Sequence, residues 1–400
     1  MRRIVVTGRG VQSAIGRGVP AFLQGLQAGK VGIGPLEDLS IKVGALVRDY
    51  RADQEFSESE LALLDKATQF ALLSAREAVR ESGLPAQQGL GPRAAVIMGI
   101  GSGAISTLDE SYRAHLLGGR RLSPFTVPKI MANSPAAHIS LAFGVTGPAF
   151  VVASACASSA YAIGVGMHLI RSGAVDVAIV GGTEACLVEG NVKGWEALRV
   201  LAPDTCRPFS KGRRGLVLGE GAATLVLESI EHAQARGAAV YGEMLGCAMN
   251  SDAHHILTPS AKGQADAIRD CLRDARLDID YLSYVNAHGT GTAANDQTET
   301  LALRQALGDT AEHVPVSSTK SMHGHTLGAG GAIEVLATLL ALQERFAPPT
   351  MNFSAPDPHC DLNYVPNEAR ELRKCHSALS NSFAFGGHNA VLAMRAAAYV

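Results

Sequence analysis

One cysteine, two histidines, a lysine and a glutamate have residue types and spacing that could carry acyl-transfer chemistry. Cys156 stands in PAFVVASACASSAYAIGVGMHLI (148–170), where an apolar β-like run, Ala149–Ala153, meets a small-residue turn and then helical character. A chain turning sharply from strand into helix exposes the junction residue and aims the first free helix N–H groups at it. These dipoles stabilise negative charge, so the spacing predicts an acidic, nucleophilic thiol. Small neighbours, Ala155, Ala157, Ser158 and Ser159, leave room for a substrate carbonyl. His288 follows an apolar strand in HGTGT (288–292), at the kind of strand end where α/β sites gather. His325 closes SSTKSMHGH (317–325). From Thr326 to Leu342 the one charged residue is Glu334. A buried carboxylate needs a partner, and Lys320 is the natural one. Phe383–Gly387 places an aromatic side chain beside two glycines that let its loop move.

Together these types fit one reaction. A thiolate takes up an acyl group, and two imidazole N–H groups hydrogen-bond the oxygen of a developing enolate. His325, read at a helix N-terminus, is predicted to stay neutral. Each feature also has a plainer reading: an inert buried thiol, core histidines, a structural glutamate and ordinary turn glycines.

The elements that must position these groups alternate between strand and helix, which predicts a layered α/β fold. Strands are expected at Arg3–Thr7 (then a glycine turn), Ala94–Met98, Val175–Val180, Leu216–Leu227, Val240–Gly246, Tyr284–Ala287 and Val314–Ser318. Helices are expected at Ser59–Ser82, Lys262–Ala275, Asp296–Leu307 (with Asp296 as N-cap) and Thr326–Glu344. Thr107–Pro128 reads as a polar, basic excursion. VIMGIGSG (96–103) parallels VNAHGTGT (285–292), and the Cys156 elbow parallels Ser317–His325, which suggests duplication with a join near residues 229–245 and one shared core.

Composition narrows the setting. The 400 residues are 47% hydrophobic with 43 glycines, enough for a large core with many tight turns. A net charge of −2 argues against a nucleic-acid or membrane-surface binder. Seven cysteines without a CxxC pair indicate a reducing compartment, so a cytoplasmic protein is expected. Residues 149–170 carry no charge but divide into strand plus helix, and are read as buried core rather than a membrane span. Thr7-Gly-Arg-Gly-Val-Gln-Ser13 lacks the third glycine of a dinucleotide loop. The scattered His and Cys residues match no zinc spacing, so no metal is expected.

ACASSA, HGTGT, STKSMHGH with GAIE, VLGEGAA and NSFAFGG resemble the elongating β-ketoacyl-acyl-carrier-protein synthases, especially the type II synthase, from end to end. The resemblance implies a thiolase-like duplicated fold, layered α-β-α-β-α. Its nucleophile half would span 1–240 and its histidine half 241–400. It implies decarboxylative Claisen condensation of a malonyl-carrier with an acyl chain held on Cys156. No cofactor is implied, since both substrates ride on the phosphopantetheine of an acyl carrier protein. A homodimer is implied, or a heterodimer with a related subunit. By motif, His288 and His325 look like the decarboxylation pair, Lys320 like their electrostatic organiser and Glu334 like its support. Thr290 and Thr292 look like pantetheine contacts, and Phe385 with Gly386 and Gly387 like the gate. The N–H groups of Cys156 and Phe385 would form the oxyanion hole.

Departures from the family pattern carry their own expectations. His323 stands where Thr is common and competes with His325, although spacing from Lys320 favours His325. His388 replaces another common Thr. The basic docking segment is here acidic, with Glu55, Glu58 and Glu60. Carrier docking is therefore expected at Arg207, Lys211, Arg213 and Arg214, supported by Arg120 and Arg121. The rival function is a non-catalytic chain-length-factor-like partner, which would lack the nucleophile. A biosynthetic thiolase would need a second cysteine near the C-terminal loop, and Ser382–Asn389 has none.

Overall fold

The computed structural model describes residues 2–400. Ten strands matter here: β1 (Ile4–Ser13), β2 (Ala94–Gly99), β3 (Ala149–Val152), β4 (Val177–Glu184), β5 (Gly221–Ser229), β6 (Gly242–Ser251), β7 (Leu282–Asn286), β8 (Val316–Ser317), β9 (Ser377–Ala384) and β10 (His388–Ala396). Seven helices matter with them: α1 (Lys66–Ser82), α2 (Ile105–Leu116), α3 (Ser158–Arg171), α4 (Glu189–Ala197), α5 (Ala261–Ala275), α6 (Ala293–Leu307) and α7 (Gly330–Gln343).

The strands lie in the order β8-β7-β9-β10-β6-β1-β5-β4-β2-β3. On one side β1 runs antiparallel to β5 and β5 to β4, while β4, β2 and β3 are parallel. On the other side β6, β10 and β9 are antiparallel neighbours in turn, and β9, β7 and β8 are parallel. Within each set of five the spatial order is first, fifth, fourth, second, third. The chain repeats one topology, joined by the antiparallel contact of β1 with β6. The two parallels read from the sequence fall on equivalent places: β2 with its glycine loop matches β7 with HGTGT, and β3–Cys156–α3 matches β8–His325–α7.

Helices α3 and α7 pack against each other between the two sets of strands, with α1 outside one set and α5 and α6 outside the other. This is the layered α-β-α-β-α arrangement. One apolar cluster runs through both halves, from Ile4 and Ile97 through Ile163 and Val335 to Leu392. Among the described residues no helix is long and apolar enough to cross a membrane.

Several expected boundaries move, each for a local reason. No turn follows Thr7. Gly8 and Gly10 sit inside β1, because a Cβ on either would stand 2.0 Å from a carbonyl oxygen of α1, that of Ala78 or Ser74. Helix α1 starts at Lys66 rather than Ser59, since Asp65 caps it through the Ala67 N–H, while Ser57 and Glu60 form a capping box on a separate one-turn helix. The strand expected from Leu216 begins at Gly221, and β4 continues through Gly181 and Gly182. Helix α6 is capped by Thr292, not Asp296, and α7 starts at Gly330 rather than Thr326. Strand β3 is an edge strand with Phe150 37% exposed, so it is not the buried core expected. Beyond β2, α2 and its neighbours expose Arg113, Arg120 and Arg121 as expected of a basic excursion, and beside them Tyr112, Leu116, Leu117, Phe125 and Val127, an unexpected apolar surface.

Candidate active site

The elbow at Cys156 is held by its own neighbours. Ala155 takes φ 47°, a left-handed conformation that a non-glycine residue adopts only where its surroundings enforce it. Ser158 enforces it by accepting the Ser154 N–H at 2.9 Å and donating to the Ala155 carbonyl at 2.6 Å. The Cys156 Sγ then lies 3.1 Å from His325 Nε2. The predicted acidification does not occur. Burial pushes the thiol up to about 12, outweighing the pull of the Lys320 charge. Burial thus favours the protonated thiol, with the His325 Nε2 beside it.

His325 is itself held neutral, well below the usual imidazole range, by burial first and by Lys320 second. The expected cause, a helix N-terminus, is displaced: a short turn at Leu327–Ala329 separates His325 from α7. His288 packs edge-on against it with ring centroids 5.4 Å apart, and burial and Lys320 keep it neutral too.

Lys320 organises the pair. Its Nζ donates to the His288 carbonyl at 2.7 Å, to His288 Nδ1 at 3.3 Å and to Glu334, which uses all three ammonium protons. Accepting this hydrogen bond at Nδ1 leaves His288 as the Nε2–H tautomer, a donor from its other nitrogen. Lys320 and Glu334 are each 1% exposed, and burial raises the Glu334 carboxyl to about 7. His323 is occupied elsewhere, by Thr319 Oγ1 at 2.9 Å and the Gly324 carbonyl at 2.9 Å, so the structure puts His325 at the thiol and His323 behind it.

Two further carboxylates escape a reading of the sequence. Glu299 accepts the N–H groups of His288 and Gly289, both at 2.8 Å, and the Asn381 side chain. Asp296 accepts from Gly291 at 3.2 Å and from Phe209 at 2.7 Å. Asp296, expected as the N-cap, and Glu299 on the next turn instead clamp the HGTGT loop. The signal for them is two acids in the first turns of a helix that already has a threonine cap. Glu184 does the same for the other half, binding the N–H groups of Gly101, Ser102 and Gly328.

These groups line a cavity of about 150 Å³ that reaches Cys156, His288, Thr290, Thr292, His325, Phe385 and Gly387. The Thr290 and Thr292 hydroxyls are 2.9 Å apart on its wall. Gly386 and Gly387 take φ of 84° and 71°, which fold the Phe385 loop over the opening.

The chain matches the β-ketoacyl synthase N-terminal domain over residues 1–233 and the C-terminal domain over 241–354. It belongs to the β-ketoacyl synthase family. It is 45% identical to Nodulation protein E of Rhizobium sp. (strain N33), over 98% of this chain and 99% of that one. It is 40% identical to 3-oxoacyl-[acyl-carrier-protein] synthase 2 of Synechocystis sp., over 98% of each. Among solved structures, the ishigamide ketosynthase/chain length factor superposes with a TM-score of 0.94 at 36% identity, covering 99% of both chains. The AntDE:AntF complex, a type II polyketide ketosynthase bound to its acyl-carrier protein, gives 0.90 at 32%, also covering 99% of both chains. The synthase is thus a condensing enzyme of the acyltransferase class, with the thiolase-like fold.

The loop expected to dock a carrier is only partly available in this synthase. Arg213 is turned inward with its side chain 4% exposed, paired with Asp357 and 3.5 Å from Asp296, so it is not a surface cation. Lys211 is exposed, and Arg214, 60% exposed, shares Asp204 with Arg207, at 3.4 Å and 2.8 Å respectively. Of the acidic segment, Glu55 pairs with Arg17 and Glu60 with Arg76, so part of its charge is neutralised.

Of the seven cysteines only Cys156 lines the cavity. Iodoacetamide is expected to label it ahead of Cys186 and Cys206. Because the thiol is raised, its thiolate fraction grows about tenfold per pH unit, so the rate should climb from pH 7 to pH 9 without levelling. Peptide mapping of a pH series checks both points. A plateau near neutrality would mean that the thiolate–imidazolium pair exists at rest.

Proposed function

We propose that the synthase carries out decarboxylative condensation through Cys156, His288 and His325. Cys156 Sγ attacks the thioester carbonyl of an acyl-carrier. Its proton passes to His325 Nε2 and then to the departing pantetheine thiolate. A malonyl-carrier enters next, with its arm beside Thr290 and Thr292. Its C–C bond to the carboxylate breaks, carbon dioxide leaves, and the electron pair forms an enolate. The enolate oxygen accepts hydrogen bonds from the Nε2–H groups of His288 and His325, both kept neutral by burial and Lys320, with His325 shifted after acylation from the Nδ1–H to the Nε2–H tautomer. The enolate carbon attacks the Cys156 thioester, the N–H groups of Cys156 and Phe385 hold the oxyanion, and the C–S bond breaks to release β-ketoacyl-carrier and a Cys156 thiolate, which takes a proton from solvent to restore the resting thiol. No cofactor takes part.

The observation that carries this reading is the 3.1 Å approach of Cys156 Sγ to His325 Nε2, with His288 locked alongside by Lys320. The same assembly argues against the non-catalytic partner. Mass spectrometry of Cys156 after incubation with a panel of acyl-carriers tests the reading and identifies the chain as fatty, polyketide or aryl polyene. No acyl adduct from any carrier would overturn it.

We propose a dimer built on the exposed edge β3 and the apolar surface of α2, with a second copy or a related subunit opposite. Residues 1–240 and 241–400 are the two ancestral halves in this reading. The free thiols fit a reducing, cytoplasmic setting.

The carrier docks, on this reading, against Lys211 and Arg214 with Arg207 beside them, and Arg120 and Arg121 give further basic support. The double reversal Lys211→Glu/Arg214→Glu should raise KM for the carrier roughly three- to tenfold at low salt with kcat little changed. The difference should shrink as salt rises, since exposed charges are screened over about 8 Å. Arg213→Glu should instead lower Tm, because it strands the fully buried Asp296 and sets a third carboxylate beside it and Asp357. Steady-state kinetics at two salt concentrations and a melting curve separate these outcomes. Equal KM values in wild type and the double reversal at low salt would remove this loop from the docking surface.

A further inference from the structure

The cavity above Cys156 is lined by two stacked aromatic rings from opposite halves of the chain. Phe385 lies half-buried on the loop whose glycines fold it inward, and that loop is stitched to its neighbour by Gly386 N–H donating to the Ile256 carbonyl at 2.8 Å. Trp195 comes from α4. Val192, one turn earlier on that helix, is fully buried and anchors it, and the following Leu198 joins Trp195 on the cavity wall. The Trp195 and Phe385 rings stack with centroids 6.0 Å apart and planes 22° from parallel. That offset geometry is the one aromatic pairs prefer. Trp195 makes no hydrogen bond to the catalytic groups, and its partner is the gating ring itself.

We propose that Trp195 is a positioning residue that latches Phe385 shut over the thiol and releases it when an acyl chain arrives, so that it governs how readily long chains reach Cys156. The proposal rests on the reading of Cys156 as the acylated nucleophile. Its physical basis is simple. The Phe385 loop has two positive-φ glycines, and its hydrogen bonds run through the Gly386 and Gly387 backbone to Ile256, Asp252 and Asn389, so the stack on Trp195 is the aromatic contact that holds the Phe385 ring itself. The fold-change expected from losing one such pair is roughly two- to tenfold.

The chain has a single tryptophan, which makes its emission a direct report of the latch. Two alkylating probes are compared: iodoacetamide, which leaves a small adduct without a chain, and a long-chain epoxide amide of the cerulenin type. In wild type, the epoxide adduct on Cys156 should displace Phe385 and shift the Trp195 emission, whereas the iodoacetamide adduct should not. In Trp195→Ala, the epoxide rate should rise roughly two- to tenfold relative to the iodoacetamide rate, and Trp195→Phe should restore the wild-type ratio. Equal emission for both adducts, together with an unchanged rate ratio in Trp195→Ala, would overturn the latch while leaving the nucleophile in place. Failure of both probes to modify Cys156 would remove the nucleophile assignment and the latch with it. The emission experiment uses the unaltered chain, so it decides even if Trp195→Ala folds poorly.

Discussion

Cys156→Gln should abolish condensation while malonyl decarboxylation continues at the wild-type rate or faster. The two activities draw on different groups. Condensation needs a sulfur that can carry an acyl chain and then leave, and an amide does neither, so a loss of about 10⁴-fold or more is expected. Decarboxylation needs only donors aimed at the enolate oxygen, and these are His288 and His325. The Gln side chain projects its carbonyl where the acyl carbonyl of a loaded cysteine would sit, so the cavity behaves as if already acylated. It also removes the thiol that lies against His325 Nε2 in the resting enzyme. Carbon dioxide release from malonyl-carrier, measured beside product formation, checks this. Loss of both activities together would show that decarboxylation depends on the sulfur.

The three histidines should separate by kind of defect. Either His288→Ala or His325→Ala removes one donor from the enolate site, and a fall in decarboxylation of about 10²–10³-fold is expected. They should differ in the first step. His325→Ala also removes the base 3.1 Å from Sγ and should slow acylation of Cys156, which His288→Ala should leave nearly intact. His323→Ala touches neither step. It opens the contacts to Thr319 and Gly324 in a fully buried position, so its cost should be stability, about 1–3 kcal/mol, read as a lower Tm. Carbon dioxide release, acyl loading by mass spectrometry and melting curves resolve the three. If His323→Ala stops decarboxylation and His325→Ala does not, the two histidines are reversed.

Local chemistry explains what the sequence could determine. The turn from β3 into α3 is written in small residues around Cys156. The alternation of strands and helices follows from apolar runs and glycine punctuation. The duplication shows as two pairs of matching segments, because equivalent strand ends need equivalent glycine turns. Glu334 could be matched to Lys320 in advance, since a lone carboxylate in an apolar helix must find a cation and few were near in sequence.

Tertiary structure decided what depends on distant partners. The Cys156 thiol feels a helix terminus that is visible locally, but also burial contributed by both halves, and burial wins. Arg213 looked like one more cation in a basic loop until Asp357, 144 residues away, drew it inward. Asp296 and Glu299 sit where caps belong, yet the nearest unsatisfied N–H groups are those of the HGTGT loop folded back beside them. His323 and His325 are two residues apart, and only the packed fold sends one to Thr319 and the other to the thiol. Desolvation and ion pairing are sums over everything that packs around a group, so they become fixed only when segments far apart in the chain are brought together.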